Sequence, residues 1–165
     1  MTGIAPSPRD RPSGIATLQR QAIRIRGQVQ GVGFRPFVYR LATQRGLSGF
    51  VRNDGAGVEI EVQGSAAALN DFLKDLRRPP PLARIDTLFT HDLPPHSPDE
   101  GTFVIAETGS GTVTADVTPD TAICANCLAE LFDPHDRRYR YPFINCTDCG
   151  PRYTLTATLP YDRAN

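Results

Sequence analysis

Four cysteines stand in two tight pairs, Cys124-Ala125-Asn126-Cys127 and Cys146-Thr147-Asp148-Cys149, with eighteen residues between the pairs. Thiolates in a Cx2C–x18–Cx2C pattern match the spacing of structural zinc sites. Four sulfur ligands close a tetrahedron and leave no open position, so such a metal is structural rather than catalytic. Two local disulfides, four free thiols or an iron centre are the other readings of four sulfurs, and the spacing favours zinc. Gly150 follows the second pair and permits a tight turn that lets backbone amides face the sulfurs. His135 lies within the gap beside Pro134 and reads as a surface loop residue, since four cysteines already suffice. His91 and His96 have no motif around them and read as solvated.

A second chemistry-bearing stretch is Gly27-Gln28-Val29-Gln30-Gly31-Val32-Gly33-Phe34-Arg35. Here a strand-like pattern runs through a glycine-containing turn into a helix-like one. The backbone N–H groups of Gln30, Gly31, Val32, Gly33, Phe34 and Arg35 can then cradle an oxyanion, helped by the helix dipole. The Arg35 fork suits a phosphoryl group. Asn53, in Asn53-Asp54-Gly55-Ala56-Gly57, carries both a donor and an acceptor, so it can accept from a water and donate to a phosphate. Taken alone, the loop also reads as a plain strand–helix turn with a solvated Arg, and Asn53 as an ordinary hairpin residue.

The elements around these residues follow from periodicity. Ile23, Ile25 and Val29 alternate as in a half-buried strand starting near Ala22. A helix with Pro36 in its first turn and apolar pairs Phe37/Leu41 and Val38/Ala42 ends at Gly46. Leu47–Arg52 reads as a strand, and Val58, Ile60 and Val62 mark another beyond the Asn-Asp-Gly turn. Ser65 caps a second helix carrying Leu69, Phe72, Leu73 and Leu76, which Pro79-Pro80-Pro81 stops. Arg84–His91 and Phe103–Glu107 supply two more strands. The order is that of a ferredoxin-like α+β sandwich over residues 22–108, an antiparallel sheet with both helices on one face. Residues 1–20 read as a disordered tail, 109–114 as a linker, and 115–165 as a small four-cysteine zinc-binding module.

The chain has 165 residues, with 18 Lys+Arg against 18 Asp+Glu, so its net charge is zero. That balance argues against a generic nucleic-acid binder. No apolar run approaches the roughly 18–20 residues of a membrane span, and no secretory h-region opens the chain. A cytoplasmic location follows, in which thiols stay reduced. Arg137, Arg138 and Arg140 with Tyr139 and Tyr141 form a basic–aromatic strip. It reads as a solvated hairpin edge, or else as a surface facing a neighbouring domain or an RNA. Lys74, the only lysine, sits on an amphipathic helix, and no G-x-x-x-x-G-K-S/T loop is present.

GxVQGVGFR at residues 27–35, with Gly49-Phe50-Val51-Arg52-Asn53-Asp54-Gly55-Ala56-Gly57, resembles the acylphosphatase family. The resemblance implies that Arg35 binds phosphate and Asn53 orients the attacking water. No cofactor is then required for acyl phosphate hydrolysis. The run Ile123-Cys124-x-x-Cys127-x-x-Glu130-Leu131, and then Asp136-Arg137-Arg138-Tyr139-x-Tyr141-Pro142-Phe143-x-Asn145-Cys146-Thr147-x-Cys149-Gly150-Pro151-Arg152-Tyr153, resembles the N-terminal part of the HypF family. Those proteins are the carbamoyltransferases of NiFe-hydrogenase maturation. The resemblance implies carbamoyl phosphate as substrate, structural Zn²⁺, and HypE as partner of the full-length protein. It also implies further HypF domains downstream, so the chain is expected to be a fragment of a longer protein. The competing expectation is a catalytically idle acylphosphatase fold whose zinc module binds protein or RNA.

Overall fold

Residues 18–96, 101–108, 122–146 and 149 are described by a computed structural model of the chain. The expected linker, Gly150, residues 151–165 and all but the end of the expected tail lie outside them. The elements are β1 (Leu18–Gln28), α1 (Phe34–Gln44), β2 (Ser48–Asp54), β3 (Gly57–Ser65), α2 (Ala66–Leu76), β4 (Arg84–Leu93), β5 (Phe103–Ile105) and α3 (Ala125–Phe132).

β1 begins at Leu18, before the expected start at Ala22 and inside the expected tail. Leu18–Ile25 pairs residue for residue with Ser65–Val58, so backbone pairing orders a segment whose side chains carry no apolar alternation. Val29 follows the strand rather than lying in it, yet is buried. α1 starts at Phe34, and its buried face is Phe34, Val38 and Ala42. The helix begins two residues before Pro36, whose fixed φ and missing N–H still suit the first turn. Ser65 caps α2, accepting from the Ala68 amide at 3.2 Å, and Leu69, Phe72 and Leu76 are buried.

The sheet order is β4-β1-β3-β2-β5. β1–β3, β1–β4 and β2–β3 are antiparallel, which gives the expected split βαβ arrangement. The expectation of a wholly antiparallel sheet is corrected at one edge. β5 pairs with β2 in parallel, Gly49 facing Phe103 and Val51 facing Ile105, so the sheet is mixed. β4 and β5 occupy opposite edges, and a short apolar run carries no signal of which neighbour or direction it will take.

One sheet face contributes Ile23, Ile25, Val51, Val58, Ile60 and Val62 to the core beneath α1 and α2. Each such side chain removed from water stabilises the fold by roughly 1.5–3 kcal/mol. The other face is wet and charged: Arg20 pairs with Glu61, and Arg24 and Arg52 both pair with Glu59. The fold therefore anchors the ends of β1 and β2 from one side, where the loop before α1 and the β2–β3 turn emerge.

Candidate functional site

From Gln30 to Arg35, buried and partly covered residues alternate. Val29, Val32 and Phe34 are sunk in the core, whereas Gly31, Gly33 and Arg35 are only partly covered. Anchoring alternate side chains inward turns the intervening backbone outward. Gly31 and Gly33 both adopt left-handed conformations, with φ of 70° and 74°, which glycine reaches without steric cost. Gly33 is the N-cap of α1, and no side chain caps the helix. The first helical bond runs from the Phe37 amide to the Gly33 carbonyl, at 3.1 Å. An uncapped helix N-terminus approached through left-handed glycines has the chemistry of an anion cradle.

Asn53 lies on the core side of β2 and is fully buried, opposite Val58 of β3. The adjacent turn is closed by Asp54, whose Oδ1 accepts from the Ala56 amide at 2.8 Å. Gln30, expected to contribute backbone to the cradle, extends its side chain to this turn. Its Nε2 donates to the carbonyls of Asp54 and Gly57, at 2.8 Å each. Gln30 is thus the link between the loop that carries Arg35 and the hairpin that carries Asn53. The sequence signal for this link is a polar residue in a loop whose other non-glycine positions, Val29, Val32 and Phe34, are core-forming; it goes unused when Gln30 is read as backbone alone.

The four cysteines converge. Their Sγ atoms all lie within 4.8 Å of one another. Cys124 and Cys146 are 3.5 Å apart, and Cys127 and Cys149 are 3.8 Å apart, with Cys146 3.8 Å from Cys149. Four sulfurs at Zn–S bonds of about 2.3 Å form a tetrahedron with edges of about 3.8 Å, so this donor set fits zinc. Backbone amides face the sulfurs, Cys127 toward Cys124 at 3.5 Å and Cys146 toward Cys149 at 3.4 Å. Cys124 caps α3 and so sits at the positive end of its dipole. Burial drives the Cys127 thiol strongly upward. Burial also raises Cys149, but hydrogen bonds from the Cys146 and Cys124 backbones outweigh it and leave that thiol at about 7.

The basic–aromatic strip divides. Arg138 is committed within the module, paired with Glu130 of α3 and donating to the Asn145 carbonyl at 3.0 Å. Arg137, Tyr139, Arg140 and Tyr141 are exposed. His91, His96 and His135 are exposed, as is Lys74. No helix among the described residues is long and apolar enough to cross a membrane.

The fold and the glycine loop at the head of α1 define an acylphosphatase-type unit. The acylphosphatase family model matches residues 21–105, and the chain belongs to that family. An acylphosphatase of Caldivirga maquilingensis is 46% identical over 71 residues, covering 42% of this chain and 75% of that protein. The HypF finger model matches residues 123–156. Over both parts, the chain resembles carbamoyltransferase HypF2 of Cupriavidus necator, at 59% identity over 147 residues, 88% of this chain and 18% of that protein. A crystal structure of full-length HypF in the phosphate- and nucleotide-bound form superposes with a TM-score of 0.78 at 43% identity, covering 89% of this chain and 19% of that one. The chain thus spans less than a fifth of the length of these HypF relatives.

Proposed function

We propose that this chain hydrolyses carbamoyl phosphate as the first step of HypF-type carbamoyl transfer in NiFe-hydrogenase maturation. The observation that carries this reading is the uncapped start of α1, with two left-handed glycines, Arg35 in its first turn and Asn53 tied to it through Gln30. The reading is supported by the HypF relatives, one of which was crystallised with phosphate and nucleotide.

In this reading the backbone amides from Gln30 to Arg35 receive the phosphoryl oxygens, and the Arg35 guanidinium meets their charge. Asn53 holds a water in line with phosphorus through its paired donor and acceptor. Water attacks phosphorus and the bond from phosphorus to the carboxyl oxygen breaks. Carbamoyl phosphate and water become carbamate and dihydrogen phosphate, with the charge of minus two conserved. The leaving group is already stabilised, so positioning and charge complementarity carry the acceleration without a metal or covalent nucleophile.

Zinc would be held by Cys124, Cys127, Cys146 and Cys149 and would order the module within 115–165; the catalytic domain is assigned to 22–108. Released carbamate would pass to ATP-dependent domains of a larger HypF protein and finally to HypE. The cytoplasm is the compartment consistent with reduced thiols. The test is phosphate release from carbamoyl phosphate by the purified chain without ATP. A rate above spontaneous breakdown is expected, with no AMP formed and no carbamoyl group transferred to HypE when ATP and HypE are added. A rate no faster than the uncatalysed reaction overturns the proposal.

A further inference from the structure

The hairpin turn at residues 54–57 is not built only by itself. Asp54 and Gly57 face each other at the end of the β2–β3 ladder, and both of their carbonyls accept from one side-chain nitrogen, Gln30 Nε2. Gln30 is buried and precedes the left-handed Gly31, so its backbone belongs to the oxyanion loop while its side chain belongs to the hairpin. Its Oε1 atom is buried without a hydrogen-bond partner among the described residues. The orientation of the amide is therefore fixed by the two donated bonds, since the flipped form would point an oxygen at two carbonyl oxygens.

We infer that Gln30 is a positioning residue: its side chain couples the phosphate loop to the turn after Asn53 and sets where Asn53 stands relative to bound phosphate. The inference rests on the hydrolase reading above. A single amide is the chemically economical device here, because it supplies two N–H donors from one nitrogen to two strands of a hairpin. Glutamate at this position has no donor when ionised and would repel both carbonyls. Methionine keeps the length and bulk but removes both donated bonds.

The test compares wild type, Gln30→Met, Asn53→Ala and the double variant, with benzoyl phosphate as substrate and inorganic phosphate as competitive inhibitor. Gln30→Met is expected to lower kcat by about tenfold or more while shifting the phosphate inhibition constant by less than about threefold. In the Asn53→Ala background the same substitution should cost no more than about twofold, because the group it positions is gone. Additive losses, or a Gln30→Met kcat within about twofold of wild type, would overturn the inference. Should Gln30→Met fail to fold, the wild type decides by an NMR titration with phosphate. The amides of residues 31–35 and of 54–57 should shift together with one dissociation constant, and a turn that does not respond rejects the coupling. A wild type that shows coupled shifts but no hydrolysis would support the coupling and overturn the hydrolase reading.

Discussion

The sulfurs of Cys124 and Cys146 lie 3.5 Å apart although the residues are 22 positions apart in the chain. Among the described residues, the buried cluster around the cysteines adds Ile144 with partly buried Ile123 and Leu131, a small core for such a closure. Purified, reduced protein is therefore expected to carry one zinc per chain. Chelation should unfold residues around 122–149 and leave the domain from β1 to β5 folded, since that domain has its own core. Metal analysis with circular dichroism and amide exchange reads both. Less than half an equivalent of zinc would count against the site. Zinc binding requires all four thiolates, so loading should release protons and acidification should release metal.

Arg140 is the non-glycine residue with positive φ among those described, at 57°. Its amide donates to the Leu131 carbonyl at 2.9 Å, which holds the chain in a conformation that costs an L-residue about 1–2 kcal/mol. Its side chain is exposed, so little packing is at stake. Arg140→Gly should stabilise the module by about 0.5–1 kcal/mol, after the greater freedom of glycine in the unfolded chain is subtracted. A higher chelator concentration for half-unfolding is the expected reading.

Arg138 and Arg137 should behave differently despite being neighbours. Arg138 joins Glu130 of α3 to the backbone just before Cys146, with both charged groups largely covered. Arg138→Ala should cost about 1–2 kcal/mol, the range for losing a charge-assisted bond discounted for partial exposure, and should speed zinc loss. Arg137→Ala should change stability by less than about 0.5 kcal/mol. Equal effects, measured by denaturation of the zinc-loaded protein, would show that Arg138 has no special place.

Elements with strong periodicity are legible in the amino-acid sequence alone. Leu69, Phe72 and Leu76 mark α2, and Ser65 its cap, because local pattern and tertiary packing agree there. The cysteine spacing likewise contains the cluster. What the sequence leaves hidden depends on contacts between residues far apart along the chain. The parallel seat of β5 on β2 and the extension of β1 to Leu18 are set by partner strands, not by residues 103–105 or 18–21 themselves. Gln30 reads as loop backbone, because a polar side chain among core-forming neighbours indicates a buried partner but not that the partner is a turn 24 residues away. Arg138 reads as part of a surface strip, because its partner Glu130 sits eight residues earlier, on α3.

Arg35 and Asn53 should fail in different ways. Arg35 stands in the first turn of α1, only partly covered, where its charge adds to the uncapped helix end. Arg35→Ala should weaken binding of inorganic phosphate and also lower kcat/KM for acyl phosphates. The loss is expected at about 2–4 kcal/mol, the range seen when one preorganised donor is removed. Asn53 is fully buried on β2, directly before the turn at residues 54–57. Asn53→Ala should leave phosphate binding nearly intact and lower kcat, because it disturbs the water and not the anion. The buried position also means that alanine leaves a small cavity, so circular dichroism must confirm the fold before kinetics are compared. Equal phosphate inhibition of wild type and Arg35→Ala would remove Arg35 from the cradle. A rise in KM with unchanged kcat for Asn53→Ala would make Asn53 a binding group and leave the attacking water to be oriented by another part of the site.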